Sequence, residues 1–354
     1  MSDAISDAMR DTVALDNVAA VRPIRARLVA TVAGFGAVTV AVCLLAPLVG
    51  STQISLTRVF DRSIPFANNV DAQIFFIARL PRVLSGALVG AALAAAGVVF
   101  QALLRNPLAT PFTLGVSAGA SLGAMLVIIL GVNIAAGSLP AVPLASLAGA
   151  SIATAIVYWL ATPYRRAMST SVLLLAGVTL NSFFSALIMF VQYIADFSQA
   201  YRAARYLMGD LDIGSFDPLV AALPLVTVAF VAFATLPSAL NMLSLGPDAA
   251  ATRGVDVVRA QRLAFFSASL ATSAAVSLAG PIGFVGIVVP HLVRLMVGVD
   301  HRIVLPASTL FGAAFLVVCD LAARTLLAPI EIPVGVVTAI IGGPFFLWLL
   351  VRRS

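Results

Sequence analysis

Several short groups of residues carry side chains that could do chemistry. Arg79-Leu80-Pro81-Arg82 sets two guanidinium groups about a turn apart, beside a proline that suits a first helical turn. Such forks either snorkel to lipid headgroups or grip carboxylates on an external protein. Gly115-Val116-Ser117-Ala118-Gly119 matches GxSxG, the pattern of a strained turn that exposes a nucleophilic serine. His291 and His301 are the two histidines that could serve it as base. Asp320 and Arg324 stand four apart and can pair on one helix face. Gly283 to His291 places Gly and Pro at membrane depth, which suggests broken helices near a pathway.

A further group is structural in character. In Leu245 to Val255, Pro247 and Asp248 open a short helix, Ala249, Ala250 and Ala251 continue it, and Gly254 ends it. A helix this short is marginal in water, so the segment points to a docking partner. Arg105-Asn106-Pro107-Leu108-Ala109-Thr110-Pro111 is a rigid turn or a constriction. Arg165-Arg166-Ala167-Met168-Ser169-Thr170-Ser171 offers Ser169 as a helix cap and leaves room for a gate. Cys43 and Cys319 lie in apolar runs and read as free thiols, and no residue pattern suggests a metal site.

All 21 basic residues are arginine. Without lysine the chain has no P-loop and no Schiff base. If ATP drives this protein, another chain must bind it.

The elements that position these groups follow from composition. Of the 354 residues 61% are hydrophobic and 10% charged, with a mean hydropathy of +1.07. Soluble chains carry about 25% charged residues. Apolar runs fall at 28–50, 83–104, 112–132, 139–162, 171–195, 216–237, 263–283, 284–299, 303–328 and 333–351. Most approach the roughly 20 residues that cross a bilayer as a helix. The fold class is therefore an all-α polytopic membrane protein of about ten helices. Soluble enzymes and nucleic-acid-binding domains are excluded as readings of the whole chain.

Residues 1–27 are polar and read as a disordered cytoplasmic tail, with the membrane domain at 28–354. With the N-terminus inside, two thirds of the 21 arginines fall on the inner side, and an even helix count puts both termini there. Gly86 with Gly90 and Gly119 with Gly123 are GxxxG pairs that permit close helix approach. One offset lays Arg79-Leu80 on Arg262-Leu263, Ala96-Gly97 on Ala279-Gly280 and Pro107 on Pro290, a candidate inverted repeat.

The strings RLPRVLSGALVGAALAAAGVVFQALLRNPLATPFTLGVSAGASLGA (79–124), STSVLLLAGVTLNSFFSAL (169–187), YLMGDL (206–211), LNMLSLGPDAAATRGV (240–255), SLAGPIGFVGIVVPHLVRLMVGVDHRIVLPASTLFGAAFLVVCDLAARTLL (277–327) and EIPVGVVTAIIGGPFFLWLL (331–350) together resemble one family. It is the permease subunit of type II ABC importers for iron–siderophores, haem and cobalamin. The similarity runs in order from about residue 28 to the C-terminus.

The resemblance implies a ten-helix subunit of the bacterial inner membrane that homodimerises around a central path. That path would be lined mainly by the fifth and tenth helices. Two ATPase subunits, which use ATP and Mg, would dock inside and a periplasmic substrate-binding protein outside. This chain would bind no cofactor and no nucleic acid and perform no bond chemistry. Arg79, Arg82 and Arg324 fall where outer arginines meet acidic residues of the binding protein. Gly246, Pro247, Asp248, Ala249, Ala250, Arg253 and Gly254 match the coupling helix. Asn106, Leu108, Ser169, Thr170 and Ser171 match the segments that narrow the inner end of the path. One departure is Tyr206, where relatives often have Trp, with Arg202 and Arg205 close by.

The implied cargo is an iron chelate, siderophore before haem or cobalamin. Two alternatives follow from the residues. A proton-coupled secondary carrier needs membrane-embedded acids, which the apolar interiors are expected to lack. An intramembrane serine protease would use Ser117.

Overall fold

The computed structural model describes residues 2–131, 141–162 and 168–353. All regular structure among them is helical: α1 (Ser2–Leu45), α2 (Leu56–Val59), α3 (Val70–Gln73), α4 (Leu80–Leu104), α5 (Val116–Leu130), α6 (Ala141–Ala161), α7 (Thr170–Tyr193), α8 (Phe197–Leu207), α9 (Asp217–Thr235), α10 (Pro237–Leu243), α11 (Pro247–Ala251), α12 (Val257–Ala279), α13 (Val285–Val297), α14 (His301–Thr325) and α15 (Val334–Arg353). Seven helical runs among the described residues are long and apolar enough to cross a membrane, and α5, α13 and α15 supply shorter apolar helices. Each apolar segment of the sequence overlaps one of these helices. The polar stretch before Ile24 carries helical backbone as the start of α1.

Burial separates the centre of the bundle from its rim. Of the apolar window, 83% is buried in the run ending with α4, 78% in α12 and 67% in α14, against 0% in α1. α4, the most buried of the spanning helices, carries ten Ala and Gly among its 25 residues, because lipid provides no hydrophobic drive between helices and association rests on close van der Waals packing. A Cβ added at Gly90 would meet the Gly312 carbonyl oxygen at 2.2 Å, and one at Gly97 would meet the Gly286 carbonyl oxygen at 2.2 Å. The second GxxxG pair does the same between α5 and α6, where Gly119 packs on Gly149 and Gly123 on Ala145. The rim keeps large apolar side chains outward, as on α7, where Phe183, Met189, Phe190 and Tyr193 are exposed.

One boundary differs from the sequence expectation. Pro81 does not start its helix. The run begins at Val70, where Asn69 caps α3 through Ala72 N–H, and passes through a π-helical stretch, Ile74–Arg79, into α4. Proline lacks a donor for the i−4 carbonyl and crowds it. The wider π turn absorbs that defect and carries helix through a region that composition alone marks as a loop.

Candidate functional site

The described residues gather polar side chains at both ends of the bundle. At the end containing the 49–69 connection, the π stretch turns Arg79 inward. Its guanidinium donates to the carbonyls of Pro47 (3.1 Å), Leu48 (3.3 Å) and Thr52. Gly50 leaves room for this placement, since a Cβ there would meet Arg79 Nη2 at 2.6 Å and displace the guanidinium. One turn on, Arg82 Nε donates to Asp320 Oδ1 at 2.9 Å and Nη1 to Glu331 Oε2 at 2.6 Å. Arg324 Nη2 donates to Ala46 O at 2.6 Å, and its Nε lies 3.6 Å from Asp320 Oδ2, the i,i+4 pair expected from spacing. Arg79, Arg82, Asp320 and Arg324 are all buried.

Arg79, Arg82, Arg324 and Glu331 border a pocket of about 760 Å³ that also takes in Arg205, Asp210 and Asp212, with Asp320 buried behind it. Arg205 pairs with Asp210 and lies 3.9 Å from Asp212; the Asp210 carboxylate raises the Arg205 guanidinium above its ordinary value. Four guanidinium groups, Arg79, Arg82, Arg205 and Arg324, thus line the pocket with three carboxylates, Asp210, Asp212 and Glu331, and a fourth, Asp320, pairs with Arg82 and Arg324 from behind. The structure brings Arg79, Arg82 and Arg324 together, and it engages all three with groups of their own chain. Buried charges are tolerated when paired in this way.

Asp320 also corrects the expectation of acid-free apolar interiors, because it sits fully buried in a helix of spanning length. Two arginines hold it, so it is an ion-pair partner and not an isolated acid.

At the opposite end α4 stops on Arg105, which adopts a left-handed backbone (φ 49°). Asn106 Oδ1 then accepts the Leu108 N–H at 2.9 Å, closing the turn. Ser169 caps α7, its Oγ accepting from Val172 N–H at 3.5 Å, the role its position suggested. Ser169, Thr170 and Ser171 border a pocket of about 260 Å³ with Arg105, Pro247 and Gln261. Asn106 borders an adjoining pocket of about 500 Å³, and Arg105 belongs to both. Arg165, Arg166 and Ala167 lie outside the described residues.

α11 shows how so short a helix persists. Gly246 caps it at φ 116°, Ala250 is buried, and Ala250 packs with Leu243 and Ala260. The helix is therefore held partly by its own chain. Asp248 and the stretch from Ala251 to Gly254 remain exposed.

Ser117 Oγ is buried with no hydrogen-bond partner, so the GxSxG match lacks the serine–base contact that nucleophilic catalysis requires. His301 Nδ1 instead meets Asn241 Oδ1 at 2.7 Å, and the His291 ring packs on Phe345. Cys43 and Cys319 are free. Tyr206 is a tie between helices, its hydroxyl bonding Val276 O at 2.9 Å and Ser146 Oγ at 3.0 Å; burial pushes this phenol up from its ordinary value. Sequence reasoning missed Glu331 and Gln261. Each is a lone polar residue whose partner lies far along the chain, so no local spacing marks it.

The FecCD transport family matches residues 38–352. The chain is 40% identical over 302 residues to the cobalamin import system permease protein BtuC of Halobacterium salinarum, covering 85% of this chain and 79% of that one. It is 35% identical over 307 residues to the hemin transport system permease protein HmuU of Yersinia pestis, covering 86% and 90%. A solved inward-facing structure of a metal-chelate type ABC transporter superposes with a TM-score of 0.80 at 30% identity, over 91% of this chain and 98% of that chain. On the extent of these matches, this chain belongs to the FecCD transport family.

Proposed function

We propose that the chain is the permease subunit of an ATP-driven importer that carries a metal chelate from the periplasm to the cytoplasm. Two copies enclose the path, each crossing the inner membrane about ten times with both termini in the cytoplasm. A periplasmic binding protein delivers the cargo, and two ATPase subunits bind and hydrolyse Mg-ATP. The relatives' names point to cobalamin and haem as cargo, and iron–siderophores belong to the same chemical class.

The observation that carries this reading is the contact between the proposed drive and the proposed gate. Pro247, at the start of the coupling helix α11, borders the same pocket as Ser169, Thr170 and Ser171. A shift of α11 by an ATPase subunit reaches the inner constriction without an intermediate element. Asn106 borders the adjoining pocket, on the turn that its hydrogen bond with Leu108 N–H closes, and Arg105 joins the two pockets. The exposed Asp248, Arg253 and Gly254 are the face offered to the ATPase.

At the outer end, Arg79, Arg82 and Arg324 dock the binding protein. Their burial gives docking a specific form: acidic groups on the partner must compete with Glu331, whose side chain is 44% exposed at the rim. Charge reversal at Arg79 and Arg82 is expected to weaken docking, read on protein shown to be folded by size exclusion. Unchanged affinity overturns that role.

The transport reading is tested by uptake in a strain lacking only this gene. Labelled cobalamin, haem and iron–siderophore are offered separately, with and without ATP depletion. Loss of one ATP-dependent uptake, restored by the gene, is the expected result. Unimpaired uptake of all three counts against the proposed cargo class.

A further inference from the structure

The 500 Å³ pocket beside α11 contains a charge imbalance that the outer cluster does not. Arg294, near the end of α13, is half-buried, and its hydrogen bond, 2.5 Å long, goes to the neutral Gln101 Oε1. Gln101 is itself buried and fixed by donating Nε2 to Gly286 O at 2.9 Å, so its oxygen is held toward Arg294. No carboxylate among the described residues forms an ion pair with Arg294. Fully buried guanidinium groups are ordinarily paired, as Arg82 and Arg324 are at the other end; Arg294 has a neutral partner in place of a carboxylate.

A second guanidinium borders the same pocket. Arg105 is exposed, makes no ion pair among the described residues, and stands on a left-handed backbone at φ 49°. That conformation is disfavoured for a residue with a Cβ. Its Nη1 lies 3.7 Å from where a Cβ on Gly246 would stand, at the first turn of α11. Among the described residues the pocket's one acid, Asp300, caps α14 and leaves a single carboxylate against the two guanidinium groups. Its Oδ1 accepts Asn241 Nδ2 at 2.7 Å and Arg302 N–H at 2.9 Å. With Asn106 Oδ1 occupied by Leu108 N–H, the amide NH2 of Asn106 is left as a further donor. Leu245 and Val299 give the pocket an exposed apolar rim.

We propose that this pocket binds a phosphate-type oxyanion between the Arg105 and Arg294 guanidinium groups, either free phosphate or the headgroup of an anionic phospholipid. Planar guanidinium forks match the geometry and charge of a phosphate. Basic pockets between membrane helices take anionic headgroups in this way, and the apolar rim suits the acyl chains. Occupancy links Arg105, and through it the start of α11, to a fixed charge. The site rests on geometry alone; only its assignment to the cytoplasmic side rests on the proposed orientation.

The test uses the full chain in neutral detergent. Its unfolding midpoint is followed during titration with sodium phosphate against sodium chloride at matched ionic strength, and with phosphatidylglycerol against phosphatidylcholine. A saturating rise with phosphate identifies a free anion; a rise with phosphatidylglycerol alone identifies a headgroup. Arg294→Gln and Arg105→Gln are each expected to raise the half-saturating concentration at least about tenfold. Arg105 is exposed, so its variant carries the test if Arg294→Gln does not fold. No response beyond chloride or phosphatidylcholine overturns the proposal. So does a response unchanged in both variants, or stabilisation given only by the ATPase subunit.

Discussion

The buried cluster around Asp320 gives the sharpest prediction. Arg82→Gln removes the group that holds Asp320 Oδ1 at 2.9 Å and Glu331 Oε2 at 2.6 Å. Asp320 then keeps only Arg324 Nε, at 3.6 Å. Removing one member of a buried pair typically costs about 3–5 kcal/mol, because the other charge stays buried. The remaining Arg324 puts Arg82→Gln near the lower end, about 3 kcal/mol. Asp320→Asn leaves two guanidinium groups adjacent, Arg82 with Glu331 and Arg324 with only the Ala46 carbonyl. It should cost at least as much. The double variant removes both opposing charges and should cost less than the sum of the singles, by about 1–3 kcal/mol.

The free thiols Cys43 and Cys319 allow the assay, since a thiol-reactive dye in detergent reports their exposure on heating. At about 2 °C per kcal/mol for a chain of this length, Arg82→Gln should lower the midpoint by roughly 6 °C. Single variants within about 1 °C of the parent, or a strictly additive double variant, refute the reasoning.

Four further outcomes follow. Gly97→Ala forces a Cβ to within 2.2 Å of the Gly286 carbonyl oxygen, and overpacking of this kind costs about 1–3 kcal/mol or more; a thermal midpoint equal to the parent's contradicts the packing. Replacing Gly246–Gly254 with a flexible linker should leave ATP hydrolysis running while import stops, and continued coupled transport in proteoliposomes argues against α11 as the coupling element. Tyr206→Phe strips the bonds to Val276 O and Ser146 Oγ and should cost about 1 kcal/mol without changing which chelate is imported; altered cargo selection would give Tyr206 a direct role. Ser117→Ala should leave import intact, and its loss would reopen a chemical role for the GxSxG serine.

What the sequence made legible, and what it hid, divides by the range of the physical signal. Helix existence came from runs of apolar residues, a local signal strong enough to place every apolar helix. The Ser169 cap and the Asp320–Arg324 pair were legible for the same reason, their partners lying three and four residues away. The start of the α4 run was not. Pro81 is locally a first-turn residue, and only the π stretch, stabilised by tertiary contacts such as Arg79 to Pro47, carries helix through it.

The arginines around Asp320 are the instructive case. Their types and spacing describe forks open to a partner, and the sequence cannot say that Asp320 and Glu331, over two hundred residues on, already occupy Arg82. The same long-range pairing is missing at Arg294, whose nearest fixed partner is the neutral Gln101. The two ends of one bundle therefore differ in a way that neither composition nor motif expresses. One end is neutralised within the chain, so a docking partner must displace an existing bond. The other holds unneutralised guanidinium groups beside the element proposed to receive the ATPase motion, so an anion can enter there without displacing a carboxylate from either arginine.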